Sequence, residues 1–227
     1  MKTCALGLGL AAIVAGTASA DYNTIAVIDS YSATAADFDG SDVTVNVQDI
    51  YMVTSDTTDT LLNVFNWNSA ATGASSYFQS FTGTGWTPTN LGGPFDTAAL
   101  QQADSFVTIG GFGADALQLP GTGEGTGLDP NFGGNNAGAP AADAGWFNSN
   151  PPSLNGQAMM YDNGVMGTLI GRFAATGDFD LTGSVLSATW NQGLGTEGSQ
   201  GNFSVVPAPG ALALLGLAGI AGRRRRG

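Results

Sequence analysis

The sequence predicts an all-β protein, a single jelly-roll-like β-sandwich with long Gly/Asn-rich loops, and three observations lead there. Short runs enriched in β-branched and aromatic residues recur along the chain, separated by Gly, Asn, Asp and Pro. In the clearest of them, SDVTVNVQDIYMVTS, Val43, Val45 and Val47 alternate with polar residues at the strand period of two. Helical composition is confined to one stretch, DTAALQQAD (96–104), so there is no alternation of strands and helices that would call for a parallel sheet. A β-solenoid is the open alternative, but it needs a short recurring period, and none recurs strictly.

Taken in order, the chain begins with MKTCALGLGLAAIVAGTASA (1–20), which has the layout of a secretory signal peptide and is expected to be a signal helix. Lys2 supplies the positive end, an apolar run follows, and Ala18-Ser19-Ala20 gives the small-x-small cleavage pattern, so the mature chain is expected to start at Asp21. Cys4, the single cysteine, leaves with this leader. Residues 21–206 form one domain by length.

Its strand-like runs are YNTIAVID (22–29), the 41–55 run already quoted, LLNVFNW (61–67), SYFQSFTG (76–83), SFVTIGG (105–111), AMMYD (158–162), VMGTLIGRFAA (165–175), SVLSATWNQ (184–192) and GNFSVV (201–206). In the second run the apolar phase changes between Val47 and Ile50, as it would at a bulge or at the passage to another strand. Asn163-Gly164 is the best hairpin signal and suits a type I′ turn. Residues 110–156 are rich in Gly, Asn, Ala and Pro and read as one long loop, of the kind that is usually functional or mobile. On this loop Trp146 and Phe147 adjoin Asn148 and Asn150, and Trp86 sits in FTGTGWTPTNLGG. Each tryptophan has two readings: an aromatic pin holding a loop to the sheet, or a sugar-stacking platform with amides for hydroxyl contacts.

Charge narrows the function. The chain has 18 acidic residues and six basic ones, for a net charge of −12. All 18 acids lie between Asp21 and Glu197, where Arg172 is the only base, so the domain alone carries a net charge of about −17. Nothing in it would neutralise phosphates, which excludes nucleic acid as a partner. The domain also lacks His, Lys and Cys, which removes Ser-His-Asp and Cys-His catalysis, Schiff-base chemistry and the usual zinc sites. Carboxylate chemistry remains, but Glu124 and Glu197 both sit in Gly-rich turns that neither desolvate nor fix a carboxyl, so no enzyme activity is expected.

No cofactor is expected, with calcium as the one candidate. In Asp37-Phe38-Asp39-Gly40-Ser41-Asp42, the three aspartates around a glycine resemble part of a calcium loop, although Gln48 stands where an EF-hand has its glutamate. Asp178-Phe179-Asp180 is a second Asp-x-Asp. A polar turn between strands explains both patterns equally well, because Asp bonds readily to nearby backbone.

The chain closes with VVPAPGALALLGLAGIAGRRRRG. A Pro-x-Pro punctuation (Pro207, Ala208, Pro209) precedes an uncharged apolar run, expected to be helical, and Arg223, Arg224, Arg225 and Arg226 follow it. Arginines of this kind resist passage across a membrane. The order of parts resembles the PEP-CTERM sorting signal of exosortase substrates, with Ala208 where that family usually has Glu. The resemblance covers residues 207–227. It implies a Gram-negative envelope, an exosortase-type processing enzyme as partner, transient anchoring in the inner membrane and association with exopolysaccharide. A plain C-terminal anchor is the alternative; the apolar run is short for one, since a spanning helix wants about 20 apolar residues.

The sequence therefore points to an exported cell-surface or extracellular-matrix protein with a structural or adhesive role. A calcium-assisted carbohydrate-binding module is the second reading, and a carboxylate glycosidase or polysaccharide lyase the third.

Overall fold

The computed structural model describes residues 22–36, 42–73, 76–79, 85–87, 98–110, 125–150, 152 and 155–208. Residues 1–20, read as a signal peptide, Pro209, the apolar run and the four terminal arginines lie outside the described residues, as do both expected flanking helices. Within the described residues the elements are β1 (Ile25–Ala36), β2 (Asp42–Val53), β3 (Thr60–Asn68), α1 (Ala98–Ala103), β4 (Phe106–Val107), β5 (Thr126–Leu128), a 3-10 turn (Pro130–Phe132), β6 (Ala144–Asn148), β7 (Met159–Met160), β8 (Met166–Ala175), β9 (Val185–Asn191) and β10 (Ser199–Pro207). The all-β expectation holds.

The strands make one continuous sheet in the order β4-β8-β2-β1-β10-β9-β3-β6-β5, with β7 also on β8. Every pairing is antiparallel except β1 with β10, which run parallel. The sheet curls until its two ends approach. The Thr108 hydroxyl, just past β4, lies 3.5 Å from that of Thr126, the first residue of β5. The Trp146 indole N–H on β6 donates to the Thr108 carbonyl at 3.0 Å. Trp86 links the same two ends through its backbone, donating to Asn135 O and accepting from Val107 N–H.

Curling brings the inner faces of nearly all strands into one core. Ala26 and Ile28, Ile50 and Met52, Leu61, Val64 and Trp67, Phe173, Leu186 and Trp190, and Phe203 and Val205 belong to it. Aromatics fill its centre: Trp67 stacks on Phe173 at 5.5 Å, and Tyr77 meets Trp86, Phe173 and Phe179 edge-on. Pairs in these geometries contribute about 0.5–1.5 kcal/mol each beyond their burial.

The phase change inside β2 now has a cause. Pairing with β1 is unbroken from Asp42 to Met52, so β2 itself carries no bulge. The register shift falls against β8, between Ile50 and Tyr51, where Ile170 is the extra residue. The strand instead crosses from one core to another. Val45 and Val47 point outward into a second cluster with Ala33, Ala35, Ala174 and α1's Leu100 and Ala103. Ile50 and Met52 point inward. A third cluster covers the other outer stretch, where Val27, Tyr51, Phe106, Tyr161 and Leu169 meet.

On β3 the inward residues Leu61, Val64 and Trp67 are spaced by three, which plain alternation forbids. Register shifts on either side of Asn63–Phe65 make up the difference, and Asn66 takes φ 52°, a left-handed conformation that Asn tolerates better than most residues.

Three sequence expectations are corrected. Residues 76–79 form no strand. The 110–156 loop carries β5, the 3-10 turn and β6, because Trp146 and the Asn148 side of the loop complete the sheet's edge. The hairpin at Asn163-Gly164 exists, but its turn differs. Gly164 N–H donates to Tyr161 O, Tyr161 N–H donates to Val165 O, and Gly164 has φ 81°. Asn163 is not among the positive-φ residues, so this is a type I turn closed by a left-handed glycine rather than type I′.

Candidate functional site

The two candidate ligand tryptophans are core residues. Trp86 and Trp146 are 0% and 1% exposed, and each indole N–H is spent on a backbone carbonyl, Ala137 O at 2.6 Å and Thr108 O at 3.0 Å. Neither has a face left for a sugar ring, so the stacking-platform reading is corrected. Strand alternation turns the next residue, Phe147, outward instead, and it is 38% exposed.

Of the three aspartates proposed for calcium, only Asp42 is described. It is exposed, begins β2 and pairs with Ala36 at the end of β1. Residues 37–41 therefore connect two paired strands, and Asp37 and Asp39 lie outside the described residues. No group of three acidic, Cys or His side chains with metal-holding geometry occurs among the described residues. In the second Asp-x-Asp, Asp178 Oδ1 accepts from Asn46 Nδ2 at 3.2 Å, and Asp180 Oδ1 accepts from Thr182 N–H at 2.8 Å. Between them Phe179 is buried in the core. The Asp180 bond forms a local turn, and the Asp178 bond ties this loop to β2.

The most highly built charged site is one that the sequence reading passed over. Arg172 on β8 lies opposite Asp49 on β2 and is fully buried. Its Nε and one terminal nitrogen donate to the two oxygens of Asp49 at 2.7 and 2.8 Å. Its other terminal nitrogen donates to Gln101 O near the end of α1 at 3.1 Å. The Phe106 and Tyr31 rings lie 5.3 and 5.9 Å from the guanidinium carbon, and Tyr31 donates its hydroxyl to Asp49 at 3.1 Å. Burial works against the guanidinium charge, but attraction to Asp49 and the hydrogen bonds between them outweigh it and hold the pKa above its ordinary value. Burial, reinforced by Asp49, pushes the Tyr31 and Tyr51 hydroxyls well up.

The cluster sits on the outer side of the sheet between the second and third apolar clusters, so it joins them rather than opening to solvent. One signal for it was present in the sequence. A lone base inside the apolar strand GTLIGRFAA has to be paired if it is buried. The sequence could not say which of 18 acids would pair with it.

The chain's other candidate site, the Pro-x-Pro motif, begins on the last residue of β10. Pro207 is the last residue of β10 and pairs with Ile28 of β1. Ala208 follows, and its N–H donates to Ile28 O at 3.0 Å. A proline within a sheet removes a donor. Here none is missed, because the N–H groups that β10 sends to β1 come from even-numbered residues such as Ser204 and Ala208, and Pro207 faces the other side. Pro209 and Arg223–Arg226 lie outside the described residues. Among the described residues no helix is long and apolar enough to cross a membrane.

No protein-family model matches the chain, and neither the curated proteins nor the solved structures contain a significant match to it.

Proposed function

We propose that this chain is an exported cell-surface or extracellular-matrix protein, structural or adhesive in role and associated with exopolysaccharide, delivered by its C-terminal signal. The observation that carries the proposal is that the Pro-Ala-Pro motif follows directly on the sheet: Pro207 closes β10 and pairs with Ile28 of β1. Among the described residues, the backbone bond to the sheet made furthest along the chain is that of Ala208, the middle residue of the Pro-Ala-Pro motif. A signal that a processing enzyme reads and removes should begin where the body stops, so that its loss leaves every strand in place. The pairs described between β10 and its neighbours β1 and β9 are all made by residues up to Pro207.

Electrostatics support the same reading. The only base between Asp21 and Glu197 is buried against Asp49, so this region offers no exposed cation to hold an anionic headgroup. The arginines at 223–226 are left as the cationic part of the chain. An acidic surface resists aggregation and suits a hydrated matrix.

We keep the role as non-enzymatic, since the single arginine is engaged in packing and the region lacks His, Lys and Cys. In architecture, we retain the jelly-roll-like sandwich as a proposal: the curled sheet faces itself across Trp67, Trp146 and Phe173, although every described strand belongs to one hydrogen-bonded sheet.

The test is transfer of the signal. Residues 207–227 fused behind an exported reporter should bring it to the cell surface in a host with the processing enzyme. Replacing the four arginines by alanine should abolish delivery. Equal surface delivery without the segment would refute the proposal.

A further inference from the structure

Among the described residues only one aromatic side chain is exposed, Phe147 on β6. Its cross-strand neighbour is Gly127 on β5. A Cβ at Gly127 would lie 2.5, 2.8 and 3.0 Å from the three outer carbons of the Phe147 ring, the near-equal distances of a ring that turns its face to that position. The glycine lets the ring lie down over β5, and the opposite ring face is left outward.

Register carries the same face across the sheet. Phe147 pairs with Asn63 on β3, Asn63 with Thr189 on β9, and Thr189 with Gln200 on β10. Inward Ala188 and Trp190 flank Thr189, so this row points outward. At about 4.8 Å between strands it runs for about 14 Å. Asn63 Oδ1 accepts from the Thr189 hydroxyl at 2.8 Å and from the Thr189 N–H at 3.2 Å, which fixes the amide and leaves its NH2 group as a donor. Two residues further along the strands a second row holds the half-buried Phe65, Ser187 and Asn202, and the Ser187 hydroxyl donates to Asn202 Oδ1 at 2.8 Å.

We propose that this outer face of β6, β3, β9 and β10 binds a neutral polysaccharide chain. The inference rests on the exopolysaccharide association proposed above and gives it a surface and a ligand class. Three features select that ligand. The open face of Phe147 offers a π surface to the C–H face of a pyranose, and Phe65 offers a second one. Asn63, Thr189, Gln200 and Asn202 set amides and a hydroxyl at intervals close to the length of one sugar, which suits a line of ring hydroxyls. Neither row carries a charge, in a domain of net charge about −17 whose one base, Arg172, is buried. A uronate or sulfated chain would meet only repulsion there, whereas a neutral chain can lie along the rows.

Affinity electrophoresis of the protein recovered from the producing cell tests this, in native gels cast with hydroxyethylcellulose, galactomannan or dextran as neutral polymers and with alginate as the anionic one. At least one neutral polymer should retard the protein, and alginate should not. Phe147→Ala should weaken that binding at least about tenfold and Gln200→Ala about threefold, while Phe147→Trp should retain it. Gln200 is exposed, so its variant keeps the fold should Phe147→Ala disturb it. No retardation by any of the neutral polymers, or binding undiminished in both the Phe147→Ala and Gln200→Ala variants, would overturn the site. Delivery of a reporter by residues 207–227 does not involve this face, so either result would leave the delivery reading standing.

Discussion

Asp49 and Arg172 face each other directly across β2 and β8, joined by two hydrogen bonds of 2.7 and 2.8 Å with neither side chain open to solvent. The pair neutralises itself, ties α1 to the sheet through Gln101 O, and leaves the rest of the region's charge unopposed.

Breaking the pair from one side strands a buried charge. Asp49→Asn should cost about 3–5 kcal/mol and lower the Tm by on the order of 10 °C in thermal or urea unfolding. Replacing both partners, Asp49→Leu with Arg172→Met, should cost less than Asp49→Asn alone, because no unpaired charge remains. A double variant as unstable as the sum of its singles would show that the two residues act separately.

Alkaline unfolding should be cooperative. All five tyrosines have raised pKa values, chiefly through burial, and Tyr161 is pushed up to about 12. A hydroxyl with a folded pKa above its unfolded value of about 10 stabilises the fold fully below pH 10. That contribution is lost as pH rises from there through 12. Ultraviolet absorbance of tyrosinate should therefore appear together with loss of the fold above pH 10. Tyrosinate forming near pH 10 in a still-folded chain would place some of these rings at the surface.

Two glycines should respond very differently to alanine. At Gly164 a Cβ meets nothing within 4 Å, so Gly164→Ala pays only for its φ of 81°, about 1 kcal/mol. At Gly156 a Cβ would lie 1.9 Å from Leu61 O, in the bridge where Leu61 N–H donates to Gly156 O. Gly156→Ala should cost several times more, on the order of 3 kcal/mol. Urea midpoints of the two variants decide the matter, and similar values would contradict the packing at Gly156.

Salt should stabilise the body, because screening relieves repulsion among acids that face no exposed base. Thermal melts at rising NaCl should shift upward. Calcium at matched ionic strength should add nothing if residues 37–42 serve only as the turn between β1 and β2. A further rise that Asp42→Asn removes would place a cation there.

Legibility in the sequence followed the physics of each segment. Period-two alternation located β2, and short runs rich in β-branched and aromatic residues located β8, β9 and β10. β3 was found by composition, although its inward spacing of three was not readable as alternation. β5 and β6 were hidden because their glycines and Asn148 mimic loop composition, while Trp146 supplies the burial that makes them strands. The tryptophans stood out, but their hydrogen bonds to Ala137 O and Thr108 O, which decide between pin and platform, join residues 51 and 38 positions apart. The partner of Arg172 was likewise a matter of register, 123 residues away.

The most direct test of the whole account is the intact mass of the protein recovered from the surface or the medium of the producing cell. The account predicts a chain that begins at Asp21, keeps β10 through Ala208 and has lost the four arginines at 223–226. A mass that retains those arginines would contradict it and leave a simple anchor in place of a sorting signal.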